Sequence, residues 1–151
     1  MYYEVKKDNY LISTNTALLD IAAIHKYLSE ESYWAKGIPY ATVEKSITYS
    51  LCFGVYEGNK QIGFTRLITD RTAFAYLCDV FILPAYQGKG LGKWLMQTMH
   101  AHPDLQGLRR WMLATKDAHG LYAQFGWVPM SEDQSKRFMQ LHNPDVYAST
   151  N

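Results

Sequence analysis

The sequence has little cysteine. Cys52 and Cys78 are the only two cysteines in 151 residues, and neither occurs in a CxxC or Cys/His spacing. This pattern excludes a disulfide framework and offers no zinc ligands. We therefore expect two small core residues, as free cysteines usually are, and no metal.

An excess of either charge is also missing. Lys and Arg number 15 against 14 Asp and Glu, which gives a formal net charge of +1. A protein whose main partner is nucleic acid needs a basic excess to neutralise phosphates, so we expect no such partner. One phosphate-bearing ligand is still possible, because local backbone geometry can hold it.

Long apolar runs are absent as well. No stretch approaches the roughly 18 residues of a membrane-spanning helix, and residues 1–7 lack the apolar core of a signal peptide. We expect a cytoplasmic protein without membrane association. The length suits a single domain, with a core over about 10–141 and a polar, loosely held tail over 143–151.

Hydrophobic periodicity predicts a mixed domain of the α/β (α+β) class. About four helices are expected: one capped by Asn15 and running to Leu28, then 41–50, 90–101 and 118–125. His100 and His102 are expected to face solvent at the end of the third helix. The central sheet is expected to have about six to seven strands, at 10–13, 51–56, 61–68, 73–83, 108–114, 127–130 and 137–141.

A glycine-rich loop lies between the long strand that ends before Pro84 and the following helix. Its residues 87–92, which we call the glycine loop, read Gln-Gly-Lys-Gly-Leu-Gly. Glycines let the backbone approach a ligand closely, and a helix N-terminus supplies unpaired N–H groups and a positive dipole. The loop is therefore a candidate phosphate or pyrophosphate cradle. It matches neither the dinucleotide fingerprint nor the Walker A spacing.

The loop resembles the Q/R-x-x-G-x-G/A loop of the GNAT acetyltransferase superfamily. Residues 80–84, Val-Phe-Ile-Leu-Pro, resemble the strand that precedes that loop, and residues 118–127 resemble the family's A-x-x-L-Y-x-x-x-G-F segment. The resemblance covers about residues 10–141. It implies a GNAT fold, with a splayed strand at the acyl-CoA site, and an acetyl-CoA-dependent N-acetyltransferase that forms no covalent acyl-enzyme.

The resemblance also implies the residues that bind coenzyme A. The pyrophosphate would lie on the amides of the glycine loop, and the pantetheine arm would pair along the splayed strand. Thr115 stands where many family members carry an asparagine that contacts the cofactor, so Thr115 or Asp117 would take its place. The implied cofactor-binding residues are Phe81, Ile82, Leu83, Gln87, Gly88, Lys89, Gly90, Leu91, Gly92, Thr115 and Tyr122.

Two residues are candidates for proton transfer. Tyr122 occupies the family position that protonates the leaving thiolate, although it could also be a packing residue in a chain with 12 tyrosines. Asp79 is a carboxylate in an apolar strand and could accept the proton of the amine. A structural hydrogen bond of Asp79, or a water chain as the base, are equally open, and a β-bulge could change the face that Asp79 occupies.

The identity of the amine that accepts the acetyl group is what the sequence determines least. Residues 33–40, which we call the aromatic loop, lie between the first two helices. The loop contains Tyr33 and Trp34, which could bind an aromatic or hydrophobic amine, while Glu30 or Glu31 could attract a cation. Packing or an oligomer contact would equally explain the aromatic residues, and a monomer or a homodimer is possible. We expect a small-molecule primary amine as substrate. A protein N-terminus or lysine, or a non-catalytic acyl-CoA-binding module, are the alternatives.

Overall fold

A single six-stranded sheet forms the centre of the computed structural model, which describes residues 1–148. The strands lie in chain order and are antiparallel, except that the last is parallel to its neighbour. This arrangement confirms the predicted mixed sheet. The strands are β1 (Glu4–Lys7), β2 (Tyr10–Ser13), β3 (Leu51–Glu57), β4 (Lys60–Thr69), β5 (Phe74–Ile82) and β6 (Arg110–Leu113).

Helices flank the sheet. Within residues 1–148 there is no helix that is both long enough and apolar enough to cross a membrane. A π-helical turn at Tyr27–Glu31 extends the first helix toward the aromatic loop. The α-helices are α1 (Ile21–Lys26), α2 (Tyr40–Thr48), α3 (Leu91–His100), α4 (His119–Ala123) and α5 (Glu132–Ser135).

Two hydrophobic cores lie on opposite faces of the sheet. The first core packs α3 and Tyr122 of α4 against one face, and the second packs α1 and α2 against the other. Alternation along the strands separates them: Phe53 of β3 belongs to the first core, whereas its neighbour Cys52 belongs to the second. An opening in this sheet would therefore connect the face that carries the first core with the face that carries the second core.

The register of β5 changes at Cys78. Leu77 pairs with Leu67 and Asp79 pairs with Arg66, so Cys78 is an extra residue that has no partner on β4. Such a bulge shifts the alternation by one residue. Leu77 consequently faces the first core, whereas Asp79 faces the side of the sheet that carries Arg66.

The sheet also opens at this point. β5 pairs with β6 only from Phe74 to Leu77, and residues 78–82 continue past the end of β6. The two parallel strands diverge there, which is the splayed geometry that the sequence resemblance implies. The bulge and the opening are one residue apart along β5.

The N-terminal third differs from the sequence prediction in two respects. β1 was not predicted, because three of its four residues are charged and only Val5 is apolar, as is common in an exposed edge strand. The first helix begins at Ile21 with Asp20 as its cap, whereas Asn15 caps a separate 3₁₀ turn over Thr16–Leu18. Hydrophobic periodicity alone does not show that two separate helical segments, each with its own N-terminal cap, follow one another here.

The C-terminal part contains two errors of prediction. Residues 127–130 and 137–141 are not strands, and α5 lies between them. Their apolar side chains have other partners: the Trp127 indole donates to His100, and Phe138 lies 4.7 Å from the Arg110 guanidinium. In the tail, Tyr147 packs against the second core, residues 143–146 are exposed, and residues 149–151 lie outside the described residues, so the prediction of a loosely held tail stays a prediction.

His102 is buried and His100 is half-buried, contrary to the prediction that both face solvent. The His100 Nε2 atom accepts a 3.0 Å hydrogen bond from the Trp127 indole, and its Nδ1 lies 2.7 Å from the Met96 carbonyl oxygen. The ring also stacks on Phe125, whereas His102 is buried beside Tyr3 and Phe53. Because Nε2 accepts, the His100 ring is neutral with its proton on Nδ1.

Stability should therefore fall in mild acid. Burial lowers the pKa of both His100 and His102 in the folded protein, so the unfolded chain takes up protons that the folded chain does not. The stabilisation is complete above the unfolded pKa of about 6.5 and is lost as the pH falls below it. We expect the free energy of unfolding from urea denaturation to decrease over that range.

His100→Gln should weaken this pH dependence, because one of the two imidazoles with a lowered pKa is removed. His119→Gln is the matched control, since His119 is exposed at the start of α4. A pH dependence of His100→Gln that is parallel to that of the unsubstituted protein would contradict the explanation.

Candidate active site

A cleft of about 1150 Å³ occupies the opening between β5 and β6. Its lining on the side of the first core includes the glycine loop and Tyr122, and its lining on the other side includes Tyr33, Trp34 and Asp79. Residues that are far apart in the sequence therefore face one continuous space. Its lining includes residues from both faces of the sheet, so that two ligands bound on opposite faces could meet there.

The glycine loop forms one end of the cleft. Gly88 and Gly90 have φ angles of 81° and 80°, a left-handed conformation that other residues adopt only with strain. A Cβ atom at either position would meet no protein atom within 4 Å. The Gln87 side chain donates to the Ile82 carbonyl oxygen at 2.9 Å and so ties the loop to β5.

The Gln87 amide donates to the Pro84 carbonyl oxygen, and the other backbone amides of this loop, those of residues 88–92, are available to a ligand. Trp94 is the first residue whose N–H is bonded within α3, to the Gly90 carbonyl oxygen. Among the described residues, no acceptor is hydrogen-bonded to the amides of residues 88–93. These donors lie at the positive end of the α3 dipole and can hold an anion. The arrangement fits the pyrophosphate of coenzyme A.

The predicted cofactor-binding residues divide into two groups. Leu83 and Lys89 do not line the cleft: the Leu83 amide donates to the Ile62 carbonyl oxygen, and the Lys89 ammonium lies 5.6 Å from the centre of the Tyr86 ring. Thr115 lines the cleft, and its hydroxyl accepts from the Ala118 amide before α4. The others that line the cleft are Phe81, Ile82, Gln87, Gly88, Gly90, Leu91, Gly92 and Tyr122.

Tyr122 of α4 lines the cleft. The residue is 8% exposed, and its ring packs 6.0 Å from that of Trp127, which His100 holds in turn. Within residues 1–148, no hydrogen-bond partner contacts the Tyr122 hydroxyl. Burial raises the pKa of this phenol to about 12, and the nearby Tyr33 phenol adds to the increase. Tyr122 is therefore protonated at neutral pH and can donate a proton or a hydrogen bond.

Asp79 lies across the cleft in a network of hydrogen bonds. Its Oδ1 accepts from the Trp34 indole and its Oδ2 from the Arg66 Nε, both at 2.7 Å. Arg66 also donates to the Ser50 hydroxyl at 3.0 Å. Burial by itself would lower the pKa of Arg66, but the Asp79 carboxylate raises it above the usual value. These contacts match the alternative of a structural hydrogen bond, and a role as proton acceptor stays a prediction.

Tyr33 and Trp34 hold the aromatic loop against both sides of the opening. Trp34 is bonded to Asp79, and the Tyr33 hydroxyl accepts from the Lys116 amide at 2.8 Å. Their rings meet edge to face, 5.1 Å apart. The loop therefore crosses from β5 to the segment before α4 and lines part of the cleft.

The two thiols are poorly suited to nucleophilic catalysis. Cys52 is buried, and burial raises its pKa to about 12. Cys78 is half-buried and lines the cleft, and its pKa is also raised, mainly by burial. A thiol is a nucleophile in its thiolate form, so both are inert at neutral pH. Among residues 1–148, no group of three or more His, Cys, Asp or Glu side chains could hold a metal ion.

Sequence reasoning missed several residues of the site. Arg66 has no motif around it, and its pairing with Asp79 depends on the bulge at Cys78. The hairpin formed by β3 and β4 places Arg66 near this part of β5, but alternation without a bulge would have placed Asp79 on the other face. His142, Pro144 and Tyr147, which also line the cleft, lie in a tail that has no periodic signal.

Comparison with known proteins agrees with this geometry. The family model of the acetyltransferase (GNAT) domain matches residues 48–129, which contain β3 to β6, the glycine loop and Tyr122. A protein from Gibberella zeae that is named as an acetyltransferase is 36% identical over 140 residues, and the alignment covers 78% of each chain.

Solved structures show the same similarity. A GNAT-family protein from Xanthomonas campestris pv. campestris is 48% identical, covers 95% of this chain and 99% of its own, and superposes with a TM-score of 0.89. A GNAT acetyltransferase from Elizabethkingia anophelis, solved with acetyl-CoA bound, shares the fold at 17% identity and a TM-score of 0.58, covering 79% of this chain and 76% of its own. The chain belongs to the GNAT acetyltransferase family.

Proposed function

We propose that the protein transfers the acetyl group of acetyl-CoA to the primary amine of a small molecule, by direct attack of the amine on the thioester. One observation supports this most strongly. The amides of residues 88–92 and the hydroxyl of Tyr122, which have no hydrogen-bond partner within residues 1–148, lie at the same cleft, whose lining comes from both faces of the sheet. The first is suited to an anion and the second to a leaving thiolate.

The donor would occupy the side of the first core. The amides of residues 88–92 would bind the pyrophosphate, with no side chain at Gly88 or Gly90 to obstruct it. Beyond Leu77 the edge of β5 has no strand partner on the side of β6, so its backbone groups can pair with the amides of the pantetheine arm. The Elizabethkingia anophelis structure, which contains acetyl-CoA on the same fold, supports this choice of donor.

The chemistry then needs two proton transfers. The amine nitrogen attacks the thioester carbonyl carbon, the C–S bond breaks, and the Tyr122 hydroxyl protonates the leaving thiolate. The proton of the amine leaves through an acceptor on the other face. Both oxygens of Asp79 already accept hydrogen bonds, so we propose that Asp79 positions Trp34 and Arg66 and that water removes this proton.

A small acceptor is supported by the way the aromatic loop crosses the cleft. The Tyr33 hydroxyl joins the loop to Lys116, and Trp34 joins it to Asp79.

A thiol-release assay with acetyl-CoA tests the proposal against amines, amino acids, a lysine peptide and a peptide with a free N-terminus. Release with small amines supports it, release with peptides alone indicates a protein acetyltransferase, and binding of CoA without release from any acceptor indicates a non-catalytic module.

Gly90→Ala should weaken CoA binding at least about tenfold, because a Cβ at this position occupies the space of the ligand and the left-handed backbone resists it. Gly58→Ala is the matched control: Gly58 has φ 57° and equally open surroundings but lies in the β3–β4 turn. Both variants should lose about 1–2 kcal/mol of stability. Equal CoA affinities in calorimetry would contradict the assignment of the loop.

Tyr122→Phe should lower kcat about a hundredfold while CoA affinity changes little, because only the proton donor is removed. Tyr56→Phe is the matched control, since the Tyr56 hydroxyl is also buried and unpartnered, within residues 1–148, but does not line the cleft. Steady-state kinetics and calorimetry measure the two effects. An unchanged kcat in Tyr122→Phe would remove this phenol from the mechanism.

Asp79→Asn and Trp34→Phe should both raise the KM for the amine, by about tenfold, and should leave the pH dependence of kcat unchanged. Trp34→Phe removes only the indole donor and leaves Asp79 paired with Arg66, so it remains informative if Asp79→Asn is unstable. Loss of one limb of the pH profile in Asp79→Asn alone would make Asp79 the proton acceptor instead.

A further inference from the structure

The chain returns to the cleft near its C-terminal end. Residues 142–147, which we call the C-terminal segment, follow α5 and contribute His142, Pro144 and Tyr147 to the cleft lining. Asn143 shapes the segment: its carbonyl oxygen accepts from the Val146 amide at 3.3 Å, and its side chain accepts from the Asp145 amide at 3.2 Å. The resulting turn directs Tyr147 back toward the body of the protein.

Tyr147 contacts the aromatic loop through its backbone and the second core through its side chain. Gly37 has φ 78°, and a Cβ atom on it would lie 3.7 Å from the Tyr147 carbonyl oxygen, so the two backbones are in close contact. The Tyr147 side chain packs against the second core, which contains Ala35, Ile38 and Phe81. The segment is therefore joined to the same loop that carries Tyr33 and Trp34.

The end of the cleft next to the aromatic loop, where the acceptor would bind, is aromatic, and two acids of the cleft lining, Glu31 and Asp117, make no salt bridge within residues 1–148. After burial, the charge of Glu31 contributes to the raised pKa of the neighbouring Tyr27. The charge of Asp79, in contrast, is offset by Arg66 at 2.7 Å. The aromatic side chains that line this end are Tyr27, Tyr33, Trp34, Tyr76 and Tyr147.

This lining determines the kind of amine that would bind. Aromatic faces attract both an ammonium group and a flat apolar ring. An acid such as Glu31 favours a cationic group, and the aromatic faces around it favour an aromatic ring in the rest of the molecule. The combination suits a primary amine attached through a short chain to an aromatic ring.

We propose that Tyr147 of the C-terminal segment determines acceptor specificity, and that the acceptor is an arylalkylamine whose ring packs on Tyr147. The proposal rests on the acetyl transfer proposed above and adds the class of amine and the wall that selects it. Tyr147 is a specificity-determining residue and takes no part in proton transfer, so its replacement acts on KM for the amine and leaves kcat largely unchanged.

The test compares 2-phenylethylamine, hexylamine and spermidine in the thiol-release assay. We expect the unsubstituted protein to prefer 2-phenylethylamine. Tyr147→Leu keeps an apolar contact with the second core but removes the ring, and it should raise the KM for 2-phenylethylamine about tenfold while the KM for hexylamine changes much less. Tyr147→Phe should restore the value, and Tyr2→Ala, at an exposed tyrosine outside the cleft, is the control.

The outcomes separate this inference from the function on which it rests. No release from any amine by the unsubstituted protein would overturn both. Release with spermidine preferred, or with equal KM values for 2-phenylethylamine in Tyr147→Leu and the unsubstituted protein, would overturn the acceptor assignment alone. A loss of CoA affinity in Tyr147→Leu, measured by calorimetry, would also overturn it, because the segment would then belong to the donor side.

Discussion

The bulge at Cys78 is the feature on which the rest of the site depends. It comes one residue after the last pair between β5 and β6, so the strand changes its facing where the sheet opens. If residues 77–79 alternated regularly, without a bulge, Asp79 would share the face of Leu77 and would lie on the side of the first core. With the bulge, Asp79 lies opposite Arg66 and within 2.7 Å of the Trp34 indole.

The electrostatics of the cleft follow from that arrangement. The buried charges of Arg66 and Asp79 compensate one another, and the Arg66 guanidinium is further satisfied by Ser50, so a costly pair of ions is tolerated beside apolar walls. On the opposite side the cleft keeps a neutral phenol at Tyr122. On one side, Asp79 therefore holds the aromatic loop in place through Trp34. On the other side, Tyr122 keeps a proton where a thiolate would form.

The sequence allowed the prediction of features that depend on local chemistry. The glycine loop, its helix and the position of Tyr122 all lie within short segments, where spacing and residue type reflect the backbone directly. The face of Asp79, the burial of His100 and the contacts of Tyr147 depend on residues 13, 27 and 110 positions away, respectively, at Arg66, Trp127 and Gly37. No local pattern records such contacts. The prediction of two strands after α4 was wrong for the same reason, because the apolar residues there have tertiary partners outside a sheet.

A crystal structure of the protein with coenzyme A tests the central claim most directly. We predict that the pyrophosphate lies within hydrogen-bond distance, about 3 Å, of the amides of the glycine loop, and that the sulfur lies next to the Tyr122 hydroxyl in the opening between β5 and β6. Coenzyme A bound away from that loop, or with its sulfur outside the opening, would contradict the account.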